Sequence, residues 1–241
     1  MNYKYLKGPV YSRRLGKSLG INIITDKSCS FDCVYCEVGK TTNLTLKRKE
    51  YTPTDKIISE LDDYLSQNPS LDYITFSSTG EPTLHSKIKN IIKFIKNNYP
   101  NYKIALLTNS SLLWKKSVRE DILEVDLIIP SLDAVSTKAF KKINKPEKSL
   151  IINKIIDGLL KLKNEFRGEI WLEIFIIPGI NNNSQELKKF ADLIKKIKPD
   201  KVQFNSLDRP GTEKWVKKLS NKQKKEIKSY FLNLKMDLEI L

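Results

Sequence analysis

Cysteine, histidine and arginine are scarce in this 241-residue chain, and long apolar runs are absent. The only three cysteines lie between positions 29 and 36, which is no basis for a disulfide framework. No apolar run reaches the roughly 18 residues that a membrane-spanning helix needs, so we predict no membrane partner. Residues 1–16 lack the apolar core of a secretory signal. The sequence therefore predicts a reducing, cytoplasmic location.

Positive charge is abundant, because 43 lysines and arginines against 28 aspartates and glutamates give a net charge of +15. Such a balance favours a polyanionic partner, since Lys and Arg displace counterions from phosphate backbones. Only six of the 43 basic residues are arginines, and the chain is rich in Lys, Asn and Ile, a bias typical of AT-rich genomes. A nucleic-acid partner and a compositional bias therefore both explain the charge.

Short β-branched runs alternate with longer amphipathic stretches, a pattern that predicts parallel strands with helices packed outside them. The predicted strands are 21–25, 73–77, 104–108, 127–131, 170–177 and 202–205, with a closing strand at 236–241. Thr52 is the expected N-cap of the first helix, ahead of Pro53, and Ser220 marks the start of the last. We expect an α/β fold, a partial (βα)6 TIM-like barrel with its site at the carboxyl ends of the strands. A single domain would comprise an N-terminal extension (1–20), the βα core (21–205) and a C-terminal extension (206–241).

A compact group of thiols follows the first predicted strand. Cys29, Cys33 and Cys36 have the spacing Cys-x3-Cys-x2-Cys. A structural zinc ion takes four ligands, and the single histidine, His85, lies far downstream, where a structural or supporting role is expected. A [4Fe–4S] cube held by only three cysteines keeps one iron open to bind a substrate or cofactor. Three purely structural cysteines are the remaining alternative.

This cysteine spacing, with the aromatic Tyr35 before the third cysteine, resembles the cluster loop of the radical S-adenosylmethionine (radical SAM) superfamily. A second match follows the next predicted strand, where Thr79-Gly80-Glu81-Pro82 is similar to the superfamily's Gly-Gly-Glu-Pro motif with Thr79 at the first Gly. The resemblance covers nearly the whole chain. It implies an oxidoreductase, handled anaerobically, with a [4Fe–4S] cluster and SAM as cofactors.

The resemblance also implies a mechanism and a partner. Three thiolates would hold three irons while the fourth iron binds the methionine part of SAM. One electron from the reduced cluster would break SAM to methionine and a 5′-deoxyadenosyl radical, which takes a hydrogen atom from the substrate. A low-potential donor of the flavodoxin or ferredoxin type would supply that electron.

The resemblance further assigns cofactor contacts at the strand ends. Gly80 is expected to let the backbone reach the methionine amino group, so that Gly80→Val blocks SAM while leaving iron nearly intact. Glu81 is expected to organise the motif by hydrogen bonds. The other cofactor-binding candidates are Tyr35 (beside the adenine), Asn109, Ser131, Asp133 and Asn205. The alternatives are a plain turn for Gly80, core packing for Tyr35, and helix N-cap roles for Ser131 or Asp133.

Three further segments narrow the resemblance. Residues 8–16, 175–179 and 207–210 are similar to small radical SAM proteins related to the wyosine-base tRNA synthases, which use pyruvate to build a tricyclic base beside the anticodon. A tRNA base is therefore a candidate substrate, with Arg13, Arg14 and Arg209 as candidate substrate contacts. The chain departs from that group in having no cysteines for a second cluster, and no single lysine stands out as a Schiff-base former.

Other functions share the same core. A radical activase acting on a protein partner and an enzyme for a small metabolite are the enzymatic alternatives. An iron–sulfur or zinc protein that binds RNA without turnover is the non-enzymatic one, and it would not explain Gly80-Glu81-Pro82. The sequence assigns neither the substrate nor the oligomeric state.

Overall fold

A computed structural model describes residues 3–232 and 238–240. The chain begins with an antiparallel hairpin formed by β1 (Leu6–Ser12) and β2 (Gly16–Ile21). The other strands are β3 (Ser28–Cys29), β4 (Asn43–Leu44), β5 (Tyr73–Phe76), β6 (Ile104–Thr108), β7 (Leu127–Pro130), β8 (Glu169–Phe175), β9 (Lys201–Asn205) and β10 (Leu238–Ile240). The helices are α1 (Thr54–Leu65), α2 (Ile88–Asn98), α3 (Lys116–Ile122), α4 (Thr137–Ile143), α5 (Ile152–Glu165), α6 (Ser184–Ile197) and α7 (Asn221–Phe231), with a 3-10 turn at Pro82–Leu84.

One eight-stranded sheet organises the molecule, in the order β1-β2-β5-β6-β7-β8-β9-β10. Every neighbouring pair from β2 to β10 is parallel, and the strands follow one another in chain order with helices between most of them. Parallel βα repeats generally connect in a right-handed sense and can curl a sheet into a barrel. Within the described residues β1 and β10 do not pair, so the barrel is open. The expected partial α/β barrel is confirmed.

The two faces of the sheet bury different side chains. One alternating set, including Ile74, Leu106 and Ile128, packs in the large core that also holds the buried faces of the helices. The other set faces the inside of the barrel, where Ala105, Leu127 and Ile129 form a small separate apolar group with Leu15 from the hairpin turn. Ser18, Thr75 and Ser77 line a cavity of about 190 Å³ next to Leu15.

The position of the first parallel strand differs from the prediction. The sequence pattern indicated a strand at 21–25, whereas β2 ends at Ile21 and begins within the segment assigned to an N-terminal extension. After Ile21 the backbone leaves the ladder, because the amide of Ile23 donates to the hydroxyl of Ser78 (3.0 Å) instead of to a neighbouring strand. Ile23 and Ile24 are fully buried all the same. Because these two residues are buried without belonging to a strand, the apolar pattern continues past the end of β2.

Helix starts were predicted with mixed success. Thr52 is not the N-cap of α1, because Pro53 occupies that position and the Glu50 carboxylate accepts from the amide of Thr54 (2.7 Å). The last helix does begin after Ser220, whose side chain forms a reciprocal capping box with Gln223. The closing strand is present at Leu238–Ile240, while 236, 237 and 241 lie outside the described residues.

No helix in the described part of the chain combines the length and apolar character needed to cross a bilayer.

Candidate active site

A cavity of about 530 Å³ opens at the carboxyl ends of the parallel strands. We call it the cysteine cavity, because Cys29, Cys33 and Cys36 lie in its wall. The loop that carries these thiols follows β2, and the wall is completed by residues that follow β5, β6 and β7. Those residues are Gly80, Glu81, Asn109 and Ser131. The fold thus brings together four segments of the chain that lie between Cys29 and Ser131 in the sequence.

The cysteine loop is anchored on both sides. The amide of Asp32 donates to the carbonyl of Asn144 (3.0 Å), and that of Val34 donates to Ile143 (2.9 Å). On the other side the amide of Glu81 donates to the Ser28 carbonyl (3.2 Å). The loop is therefore held between the end of α4 and the Gly80-Glu81 turn.

Each cysteine sulfur accepts one hydrogen bond from a nitrogen. Asn109 Nδ2 lies 3.4 Å from the Cys29 sulfur, and Asn144 Nδ2 lies 3.4 Å from that of Cys33. The Lys27 ammonium donates to the Cys36 sulfur (3.0 Å) and to the Thr79 carbonyl (3.0 Å). Donors placed in this way stabilise negative charge on sulfur and tune the potential of a bound cluster.

The cysteines would need a cationic partner in order to act as thiolate ligands. Burial raises the pKa of Cys29 to about 11, and burial together with the nearby Asp133 carboxylate raises the pKa of Cys33 well above its ordinary value. Three adjacent thiolates are costly there unless a positive group neutralises them, and iron supplies that charge. Among the described residues no three His, Cys, Asp or Glu side chains are arranged around a single metal ion. A cube, in which each cysteine binds its own iron, fits this donor set, whereas a zinc ion does not.

Gly80 is required by its closeness to the cysteine loop. A Cβ atom at this position would lie 1.7 Å from the Ser28 carbonyl oxygen and 2.7 Å from Ile24 Cγ2. Glycine alone permits that approach. Gly80 also lines the cavity, so a larger residue there would disturb the loop that holds Cys29 as well as the space for a ligand.

Glu81 is buried and holds the motif together. Its Oε1 accepts from the amide and hydroxyl of Thr83 and from the Thr108 hydroxyl (3.1, 2.6 and 2.6 Å), while Oε2 accepts from the amide of Asn109 (2.7 Å). The turn after β5 is thereby tied to the end of β6. Ser110, the residue after Asn109, has a left-handed φ of 67° and donates to the Ser131 carbonyl (2.8 Å). It takes the conformation that glycine would otherwise supply.

Tyr35 and Asp133 form one side of the site. The Tyr35 hydroxyl donates to Asp133 Oδ2 (2.5 Å), and its ring stacks on Phe175 with centroids 3.8 Å apart. Asp133 also accepts from Asn144 Nδ2 (2.7 Å) and from the amide of Phe175 (2.9 Å), and burial raises its pKa to about 6. Both Asp133 oxygens are thus used inside the protein. The N-cap alternative for Ser131 and Asp133 is wrong, because α4 begins at Thr137 and Ser136 caps it.

A second cavity of about 390 Å³ adjoins the first, and Glu37 lies in the walls of both. We call it the arginine cavity, since Arg13 and Arg14 line it together with Asn205. Arg14 pairs with Glu173, a residue of the cysteine cavity, so this ion pair stands between the two spaces. Asn205 Oδ1 is buried and accepts no hydrogen bond within the described residues.

The remaining candidate residues from the sequence lie outside the cysteine cavity. Arg13 is 74% exposed and lies 3.2 Å from Asp208, and Arg209 pairs at 3.6 Å with Glu37 from the surface. His85 is fully buried, and its Nε2 lies 2.9 Å from the Thr52 carbonyl. Its place is structural. Sequence reasoning missed Lys27, Asn144 and Glu173, because lysines and asparagines are abundant and nothing in their spacing marks these three.

The family model of the radical SAM superfamily matches residues 23–194. The chain belongs to the radical SAM superfamily. It is 34% identical over 239 residues to a UPF0026 protein of Helicobacter pylori, covering 98% of this chain and 77% of that protein. A UPF0026 protein of Methanocaldococcus jannaschii is 39% identical over 87% of this chain, and the match spans 65% of that protein. A protein named GTPase Obg from Brachyspira hyodysenteriae is 39% identical over 98% of this chain, but the match spans only 35% of its length.

Solved structures share the fold at low identity. TYW1 with a bound lysine–pyruvate adduct superimposes with a TM-score of 0.63 at 19% identity, over 90% of this radical SAM chain and 73% of TYW1. The protein anSMEcpe, with bound SAM and the Cp18Cys peptide, gives a TM-score of 0.66 at 19% identity over 92% of this chain and 62% of that one. The predicted enzyme class is confirmed, and so are the predicted cofactors, since radical SAM enzymes use a [4Fe–4S] cluster and SAM. Such enzymes typically take electrons from reduced flavodoxin or ferredoxin.

Proposed function

We propose that Cys29, Cys33 and Cys36 hold the [4Fe–4S] cluster and that SAM binds beside it in the cysteine cavity. The observation that carries this proposal is the convergence of three hydrogen-bonded thiols and the Gly80-Glu81 turn on one cavity at the strand ends. When bound, the two cofactors supply an electron and a 5′-deoxyadenosyl radical that removes a hydrogen atom from the substrate.

The chain's own residues orient the cofactors and shield them. Glu81 fixes the turn by four hydrogen bonds and so holds Gly80 and Pro82 in the wall of the cavity. Tyr35 lies in the wall of the cavity and its ring is held by stacking on Phe175, in keeping with an adenine beside Tyr35. Ser131, whose hydroxyl lies 3.4 Å from Glu173, offers a polar group on the far side.

Turnover without substrate tests this assignment. With dithionite and SAM, anaerobically reconstituted protein is expected to release 5′-deoxyadenosine slowly, because the radical then has no productive partner. The nucleoside is measured by chromatography, with a sample lacking reductant as the control. Protein that carries a full cluster, binds SAM and still releases no 5′-deoxyadenosine would refute the proposed reaction.

For the substrate we propose an RNA, with a tRNA base entering through the arginine cavity. Four basic side chains line this cavity, and only two acids do. The basic ones are Arg13, Arg14, Lys218 and Lys224, and the acids are Glu37 and Asp208. Asp208 lies within 3.4 Å of both Arg13 and Lys218. Tyr11, which is 86% exposed, stands at the rim beside these cations and is a surface on which a base can stack.

Salt dependence tests the RNA proposal. Binding of total tRNA is expected to weaken steeply with salt, because each neutralised phosphate contributes about −0.7 to −0.9 to the log–log slope. The double variant Arg13→Ala/Lys218→Ala should flatten that slope by about one to two units. Filter binding at several salt concentrations measures both.

Two comparisons decide the meaning of the result. The control variant Arg167→Ala/Lys103→Ala removes the same charge just ahead of β8 and β6, at the amino ends of the strands. It should bind tRNA like the wild type. Equal affinity for tRNA and for an unstructured RNA of the same length would reduce the interaction to nonspecific attraction. A small-metabolite substrate would then replace the RNA.

A further inference from the structure

A groove of about 470 Å³ lies on the outer side of the cysteine loop. We call it the lysine groove, because Lys141, Lys145 and Lys148 line it. Asp32, which stands between the first two cysteines of the loop, lies in the same wall. The groove does not share any lining residue with the cysteine cavity, so it reaches the loop from a different direction.

The covalent and hydrogen-bonded path from this groove to the cysteines is short. Asn144 adjoins Lys145 in the chain and donates through Nδ2 to the Cys33 sulfur (3.4 Å). Its carbonyl accepts from the amide of Asp32 (3.0 Å), and Phe31 forms a β-bridge with Pro146. The floor of the groove is therefore bonded directly to the loop that, on the proposed function, holds the cluster.

The lysines of the groove are more exposed than the acids near it. Lys141, Lys145 and Lys148 are exposed, and so is Lys142 beside them. The acids Asp32, Glu147 and Glu213 are only half-buried, but each is engaged within the protein: Asp32 accepts from Thr41, Glu147 from Ser149, and Glu213 from Lys145. A partner approaching this face meets Lys141, Lys142 and Lys148, whereas Lys145 is paired with Glu213. The exposed Leu44, in the wall of the groove, adds an apolar contact.

We infer that the lysine groove is the docking surface for an acidic, low-potential one-electron carrier protein, which delivers the electron to the cluster from the side opposite SAM. This inference rests on the proposed function. The carrier is oxidised by one electron and the cluster is reduced by one, so no other reactant is needed. Small, charged and short-lived interfaces are typical of redox partners, and complementary charge raises their association rates by about ten- to a thousandfold.

Charge reversal at the groove tests the inference. In Lys141→Glu/Lys148→Glu, the rate of cluster reduction by a reduced acidic flavodoxin, followed by stopped-flow absorbance at low salt, is expected to fall at least tenfold. Reduction by dithionite, a small molecule that needs no docking surface, should proceed at the wild-type rate. The wild-type rate with flavodoxin should itself decline as salt is added.

A matched control separates location from net charge. Lys93→Glu/Lys189→Glu makes the same charge change on α2 and α6 and should be reduced by flavodoxin at the wild-type rate. Equal slowing of both double variants, or no slowing of the groove variant, would overturn the inference. Titration of labelled flavodoxin into the cluster-free chain gives an independent reading, with weaker binding expected only for the groove variant. Because that titration needs no cluster, its result stands even if the proposed SAM reaction fails.

Discussion

Cys33→Ala is expected to leave the protein without its [4Fe–4S] cluster and without SAM cleavage. The loss should be nearly complete, because three cysteines are all that the chain offers and a cube with two protein ligands is poorly held. Anaerobically reconstituted wild type should carry about four irons per chain. Iron analysis and visible absorption measure the effect, and circular dichroism shows whether the variant still folds.

The control for this variant lies in the same loop. Thr42→Ala removes an exposed hydroxyl and should retain iron at the wild-type level. Four irons in Cys33→Ala would assign the ligand elsewhere. Stoichiometric zinc without visible absorption in freshly isolated wild type would replace the cluster with a zinc site.

Gly80→Ala is expected to lower iron content and SAM cleavage together. The added Cβ would meet the Ser28 carbonyl at 1.7 Å, a backbone atom that cannot move without shifting Cys29 beside it. Gly80→Val should be worse still. Iron per chain after identical reconstitution is the primary measurement, and release of 5′-deoxyadenosine is the second.

The sequence alone led to a different expectation for this position. It assigned Gly80 to the approach of the methionine group and expected Gly80→Val to spare the iron. Gly39→Ala is the appropriate control, because a Cβ there has open space around it. The only expected cost is the backbone strain of a left-handed φ of 100°. A Gly80→Ala protein with full iron but no SAM cleavage would restore the first expectation and contradict the structural one.

The sequence by itself predicted the superfamily, its cofactors and the class of fold. The spacing of Cys29, Cys33 and Cys36 marks them as candidate ligands, since metal ligands close together in the chain need little help from the fold. The alternation of strands and helices is likewise local, and β6 was predicted to the residue. Handedness and chain order then leave few ways to assemble parallel strands.

The tertiary structure decided which side chains surround the cysteine sulfurs. Asn109 and Asn144 reach the sulfurs of Cys29 and Cys33 from distant parts of the chain, and only the fold makes them neighbours. The reason for glycine at position 80 is likewise visible only in the structure, because the Ser28 carbonyl oxygen approaches it too closely for a side chain. The periodicity of apolar residues predicts which side chains are buried. It does not predict their partners, because these depend on contacts between segments that are distant in the chain.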